Sequence, residues 1–237
     1  MPEDSSQPHP RRRRPRGSLS REVILDAAET VAEQGFGAMS MRAVAARVGA
    51  APMALYNHFA TREQLVDALL DRVLARFTPP PATDDWTEDL RRFARAHRNL
   101  LSDHPWAVAP LFAQPNPGLG AVRIGEHALG ILRRGGFTGE RAVAAFSGVI
   151  ALNYGWSSFT AARDLDPRGA GHDVGEMLAA LPAEAFPLTA GAASEMGAYG
   201  SGEHYELVLD ALMSGLGGLR GVVRGSRRTS APRADGA

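Results

Sequence analysis

Between positions 56 and 62 the chain places a phenol, an amide, an imidazole, a hydroxyl and a guanidinium, carried by Tyr56, Asn57, His58, Thr61 and Arg62. With Arg42 upstream, this set can bond phosphate oxygens and the edges of bases; phosphate contacts supply affinity and base contacts supply sequence choice. Signals for other chemistries are missing. The chain has no cysteine, which excludes a disulfide framework and a thiolate metal site. It has no nucleophile elbow, no phosphate-cradling glycine loop and no HExxH pair. His104, His127, His172 and His204 show no metal-ligand spacing, so neither metal nor cofactor is expected.

Two short helices meeting at a sharp corner must hold these groups. Ser40 is placed to accept a hydrogen bond from the free N–H groups at the start of the first helix. Ala43, Val44 and Val48 form its apolar face. Gly49 closes it, because the residue after a helix commonly needs a positive φ, which costs glycine least. Pro52 opens the second helix, where its missing N–H is not wanted. Leu55 and Phe59, four apart, lock that helix onto the first and leave Tyr56, Asn57 and His58 facing outward. Helix, glycine turn, helix is the helix-turn-helix arrangement, whose second helix enters a DNA major groove. The same spacing also suits a small helical hairpin in any all-α domain. At the tip of the reading helix stand Ala51, Pro52, Met53 and Ala54, all small or apolar. They fit thymine methyls and groove shape but cannot bond guanine or adenine bidentately, so Arg42 and Asn57 are the polar readers.

The flanks favour DNA. Upstream, Ser20 precedes a helix of about 20–34 that presents Val23, Ile24, Ala27 and Val31 to the core. Downstream, Thr61-Arg62-Glu63-Gln64 is a capping box. It opens a helix running to about 77, with Leu65, Leu69, Val73 and Phe77 along one stripe. Ala27-Ala28, Gly35-Phe36, Ser40-Met41-Arg42, Val44-Ala45, Val48-Gly49, Leu55-Tyr56, His58-Phe59, Thr61-Arg62-Glu63 and Leu65 resemble the DNA-binding domain of TetR-type (tetracycline-repressor-like) transcriptional regulators. The resemblance covers residues 18–77. It implies an all-α fold: an N-terminal three-helix domain with the helix-turn-helix, then a C-terminal helical ligand-binding and dimerisation domain. It further implies that Tyr56, His58 and Arg62 touch phosphates and that Arg42 reaches phosphate or a base. Tyr56 can at the same time pack its ring between helices. Nothing in the chain identifies the family's metal-binding arrangement.

Formal net charge is +0 over 237 residues, but distribution matters more than the total. Residues 1–17 form a Pro-, Ser- and Arg-rich arm, expected to be disordered when free, in which Arg11, Arg12, Arg13, Arg14 and Arg16 crowd before the DNA-binding unit. It is either a solvated tail or an arm that touches phosphates or dips into the minor groove. No lysine occurs, a usage consistent with a high-GC genome. The polar start carries no secretory signal and no run of eighteen apolar residues spans a membrane, so a soluble cytoplasmic protein is expected.

Pro79-Pro80-Pro81 ends the helix from 61 and marks the domain boundary, with a second domain over 83–224. Helices are expected over 86–101, 106–112, 119–134, 138–164, 174–181 and 202–222, with 166–200 loop-rich and 225–237 a mobile tail. The segment 138–164 is apolar almost all round. Val143, Phe146, Ile150, Asn153 and Ser157 lie on one face, and Leu152, Trp156 and Phe159 on another. Its second side therefore meets a ligand cavity or another subunit. The last helix carries Tyr205, Val208, Leu209, Leu212, Leu216 and Leu219, with Ala211, Gly215 and Gly218 permitting close approach. By resemblance these two helices from each of two subunits form a four-helix bundle, and a two-fold dimer spaces its reading helices one DNA turn apart.

Trp86, Phe93, His97, Trp106, Phe112, Asn153, Trp156 and Phe159 are the candidate lining of a largely apolar small-molecule site, though each also suits plain core packing. The function expected is a homodimeric repressor released from a palindromic double-stranded DNA operator by a small apolar or amphipathic effector. The competing expectation is an α-helical enzyme using a histidine with an acid in the C-terminal half.

Overall fold

The computed structural model describes residues 19–113, 118–164 and 174–219. The arm at 1–17, the turn at 116–117, His172 and the tail at 225–237 lie outside them. Among the described residues every regular element is a helix. The chain divides into two compact units, one ending at Leu69 and one beginning at Leu70.

The first unit holds α1 (Arg21–Glu33), a 3-10 turn (Phe36–Ala38), α2 (Met41–Val48), α3 (Pro52–Tyr56) and the start of α4 (Arg62–Leu74). Ser20 caps α1, its hydroxyl accepting from the Val23 N–H at 3.2 Å. The helix buries Ile24, Leu25, Ala27, Ala28, Val31 and Ala32, whereas Val23, expected in the core, is 38% exposed. At about 100° per residue, Ile24, Ala28 and Val31 centre the inward arc and Val23 falls just outside it. The core is completed by Val44, Ala45, Leu55, Phe59, Leu65 and Leu69.

In the second unit α4 stops at Leu74, three residues short of the stripe seen in the sequence. Ala75 and Phe77 finish it as turns, bonded to the Asp71 and Leu74 carbonyls at 2.8 and 3.1 Å. There follow α5 (Trp86–Asp103), α6 (Pro105–Ala113), α7 (Leu119–Arg134), α8 (Gly139–Asp164), the short α9 (Val174–Ala179), α10 (Pro187–Gly191) and α11 (Ala193–Gly197), and α12 (Gly202–Leu219). Asp85 caps α5 by accepting from the Thr87 N–H at 2.8 Å. Asp89, buried in the first turn of α5, is ion-paired with Arg134 at the end of α7. Burial works against its charge, but the bonds from Thr83 and Arg134 outweigh that and hold the carboxyl below its ordinary range.

Helix α8 is the centre of this unit, packing against α5, α6, α7 and α12. Its inward line is Ala142, Ala145, Val149, Asn153 and Ser157. Val143, expected on that line, is 54% exposed. Alanine at 142 and 145 lets neighbouring helices come close where valine would hold them off, so the smaller side chains face in. On α12 the buried line is Tyr205, Leu209, Met213 and Leu216, while Val208 and Leu219, expected with them, are about half exposed. Three arginines tie α5 to α12. Arg91 meets Asp210 at 3.0 Å, Arg95 grips Glu206 with both ends of its fork, and the Arg98 guanidinium lies 4.2 Å from the Tyr205 ring centre.

Candidate functional site

The corner of the helix pair is built as its spacing demands. The Ser40 hydroxyl accepts from the Ala43 N–H at 3.2 Å. Gly49 sits at φ 68°, ψ 34°, in the left-handed region, and its N–H returns to the last turn of α2. A Cβ at Gly49 would meet nothing within 4 Å, so only backbone strain opposes a side chain there. Gly49→Ala should therefore lower stability by about 1 kcal/mol and no more, read as a reduced urea midpoint; a loss of several kcal/mol would mean the turn itself rearranges.

Pro52 is the first residue of α3, a helix of only five residues held down by Leu55 and, beyond its end, Phe59, both fully buried. Its tip is open: Ala51 and Pro52 are exposed, Ala54 is half-buried and Met53 is 72% exposed. Tyr56 is 43% exposed, and Asn57 and Thr61 are also exposed. His58 and Arg62 are half-buried.

Arg62 corrects the picture of a purely outward cation. Its Nε donates to the Met39 carbonyl at 2.9 Å and its guanidinium lies 5.8 Å from the Phe36 ring centre, so it braces the turn before α2. Both Nη groups remain without a partner among the described residues. Arg21, the first residue of α1, has a bracing role too. It donates to the His58 carbonyl and covers the Phe59 ring at 4.0 Å, fixing the end of the reading helix from 37 residues away. Thr61 does form the capping box: its hydroxyl accepts from the Gln64 N–H at 3.1 Å, and the Gln64 side chain accepts from the Ala60 N–H at 3.0 Å.

Of the eight candidate ligand residues in the second unit, Trp156 and Phe159 line a cavity together. Trp86 packs on Phe137 at 5.4 Å and covers Gly135, where a Cβ would strike its ring. Phe112 is 66% exposed at the end of α6, and Trp106 is half-buried near its start. Trp156 and Phe159 line an opening of ≈ 300 Å³ between α8 and Tyr199-Gly200, where Trp156 Nε1 donates to the Gly200 carbonyl at 3.1 Å. Phe93, His97 and Asn153 lie in the interior. A second cavity, ≈ 420 Å³, opens between the end of α4 and α7 and is lined by Leu74, Phe77, Pro79, Ile124, Arg123, Glu126 and His127 among others. None of the eight candidates lines it.

Phe77 joins this cavity to the interior. Its ring stands edge-on to Phe93 at 5.4 Å, to His97 at 6.3 Å and to His127 at 6.4 Å. Phe93 in turn stacks on His97 and His127 at 6.2 and 6.0 Å. Deeper in, Asn153 donates to the Ala94 carbonyl at 2.9 Å, faces His97 Nδ1 at 3.1 Å and accepts from the Tyr205 hydroxyl at 2.8 Å. Burial pushes His97 down to about 4, so it is neutral near pH 7, and burial pushes Tyr205 up to about 12. Tyr154, edge-on to His97 at 5.6 Å, is likewise raised to about 12 by burial.

Phe77, His127, Tyr154 and Tyr205 escaped the sequence reading. Phe77 and Tyr205 were legible only as stripe residues, His127 only as a histidine without ligand spacing, and Tyr154 carried no signal.

Comparison with known proteins agrees with this architecture. Residues 24–69 match the model of bacterial regulatory proteins of the tetR family, and residues 78–219 match the tetracyclin repressor-like C-terminal domain. The tetracycline repressor protein class A from transposon 1721 of Escherichia coli is 30% identical over 206 residues, covering 85% of this chain and 92% of that protein. An HTH-type transcriptional regulator of Saccharopolyspora erythraea is 32% identical over 178 residues, covering 73% and 74%. In fold, the crystal structure of apo ActR from Streptomyces coelicolor superposes with a TM-score of 0.76 at 24% identity, covering 86% of this chain and 98% of that one. With a helix-turn-helix unit and a tetracycline-repressor-like helical unit both in place, the chain belongs to the TetR family of transcriptional regulators.

Proposed function

We propose that the protein is a homodimeric repressor that sits on a palindromic operator and is released by a small apolar or amphipathic molecule. The carrying observation is the exposed tip of α3, presented by a glycine corner that Arg21 and Arg62 brace from behind. Arg42, Tyr56, Asn57, His58, Thr61 and the free Nη groups of Arg62 supply phosphate and base contacts around it; Ser40 holds the start of α2. Ala51, Pro52, Met53 and Ala54 read shape and thymine methyls.

One such unit covers too little DNA to select a site, and a two-fold pair covers two half-sites. The outer faces of α8 and α12 support pairing. Ala144, Ser147, Ala151 and Gly155 are exposed and small, and Leu207, Val208 and Leu219 are exposed and apolar. Effector binding is supported by the cavity at Phe77 and by the relatives, which are named as transcriptional regulators and repressors. An effector that prefers the DNA-free conformation would shift the population away from the operator. Among the described residues, the buried His97 pairs with an amide rather than an acid, which does not support the enzyme reading.

The test is a gel shift with DNA from upstream of the gene. Binding should require an inverted repeat, occupy both halves together and weaken steeply with salt. Deleting residues 1–17 should weaken binding without changing the site. Equal affinity for scrambled DNA at every salt concentration would sink the proposal.

A further inference from the structure

The chain has 7 methionines and no cysteine, so the thioether is the only sulfur it offers to an oxidant. A thioether that takes up one oxygen atom becomes a sulfoxide, which turns a flexible apolar side chain into a polar one. Burial sorts the candidates. Met39, Met41 and Met213 are buried in the cores of their units, whereas Met177, Met196 and Met53 are open to solvent. Met53, at 72%, is the most exposed of these. Among the described residues of the first unit it is the one accessible sulfur.

Its position gives that exposure a consequence. Met53 is the second residue of α3, where only Leu55 is buried. The short helix is anchored by Leu55 and Phe59, so an oxygen added at position 53 displaces no core packing. Beside it, Ala51 and Ala54 end at a methyl and Pro52 at its ring. Met53 alone extends several bonds from the tip, so its chemistry decides what the tip presents to a groove. As a thioether it suits a thymine methyl. As a sulfoxide it would press a strong acceptor onto apolar surface with no donor opposite, which is unfavourable.

We propose that Met53 is a modification site through which oxidation releases the protein from its operator. The co-reactant is a peroxide. The sulfur lone pair attacks one peroxide oxygen, and the O–O bond breaks as the S–O bond forms. The second oxygen leaves as water with both protons of hydrogen peroxide; sulfur gives up an electron pair and the peroxide gains it. Methionine sulfoxide reductases return the thioether, so the release is reversible. Bound DNA covers the side chain, and the free protein is the form that oxidises. The inference rests on the reading of α3 as the DNA-reading helix, and adds to it a release that needs no effector.

The test uses the full chain, hydrogen peroxide and the inverted-repeat duplex of the gel shift. Peptide mass mapping follows oxygen uptake at each methionine, and fluorescence anisotropy reads operator affinity. Oxidation at Met53 should weaken binding about tenfold per half-site, hence about 100-fold for a two-fold pair, as expected for an acceptor left unpaired. The urea midpoint should not move, and sulfoxide reductases should restore the affinity. Met53→Leu has no sulfur there; whatever its starting affinity, peroxide should leave that affinity unchanged. A variant carrying Met177→Leu and Met196→Leu should lose affinity on treatment as the wild type does. Operator DNA should slow oxygen uptake at Met53 but not at Met177 or Met196. In a chain that selects its operator, undiminished affinity after Met53 is oxidised, a loss that persists in Met53→Leu, or uptake no slower on DNA overturns the proposal and leaves the regulator reading standing. An untreated chain that does not tell the operator from scrambled DNA overturns the regulator reading, and the proposal with it.

Discussion

Replacing Arg62 by alanine should weaken operator binding by about 2–3 kcal/mol, roughly 30- to 150-fold, because in a dimer the change counts twice. Two roles end together. The Nε bond to the Met39 carbonyl at 2.9 Å is lost, which loosens the turn before α2, and on the proposed operator-bound reading the Nη contacts to phosphate are lost with it. Salt dependence separates them. Each phosphate contact contributes about 0.9 to the slope of log affinity against log salt, so losing one per subunit should flatten it by about 2. Arg62→Lys keeps the charge but not the planar fork, and should restore the slope while recovering only part of the affinity. Titrations by fluorescence anisotropy from low to moderate salt would read both. An unchanged slope in Arg62→Ala would mean that the arginine only braces the turn.

Acidification from pH 6.5 to 4 should cost about 3 kcal/mol of stability through His97 alone. Burial pushes its folded value from 6.5 down to about 4. In that window the unfolded chain takes up a proton that the folded chain refuses. The stability is therefore complete above about 6.5, is lost as pH falls, and levels off below about 4. His127 is shifted the same way, by burial first and then by Arg134, with Asp89 opposing. Comparing the wild type with His97→Gln isolates the one group, since glutamine does not titrate. Urea unfolding at pH 7 and pH 4.5 should show the wild type losing about 2–3 kcal/mol more than the variant. Parallel losses would show that the His97 pocket admits the proton.

Much of the first unit was legible because its signals are local. Ser40, Gly49 and Pro52 act on the backbone beside them, and Leu55 with Phe59 lies one turn apart, so spacing alone placed them. Arg21 and the second role of Arg62 were hidden, because their carbonyl partners lie 37 and 23 residues away. Helix spans in the second unit were readable from periodicity, but orientation was harder. Helix α8 is apolar nearly all round, so the pattern could not say that Ala142 and Ala145, not Val143, face inward. His97 and Asn153 were both picked out as residue types that do chemistry. That they form one network with Tyr205 and the Ala94 carbonyl depends on three helices meeting, which no spacing reports. Phe77 and His127 were read as a stripe residue and a stray histidine, and their shared cavity exists only once α4 ends early.

The arginine pairs between α5 and α12 have a register ambiguity built into them. Arg91 and Arg95 are one turn apart, and so are Glu206 and Asp210. If α12 crept along its neighbour by about 5.4 Å, Arg95 would simply trade Glu206 for Asp210. What blocks that creep is hidden from solvent: the Tyr205 hydroxyl reaches the Asn153 amide in one position only. The ion pairs alone leave the register of α12 open, and the bond from its phenol to α8 is what sets it.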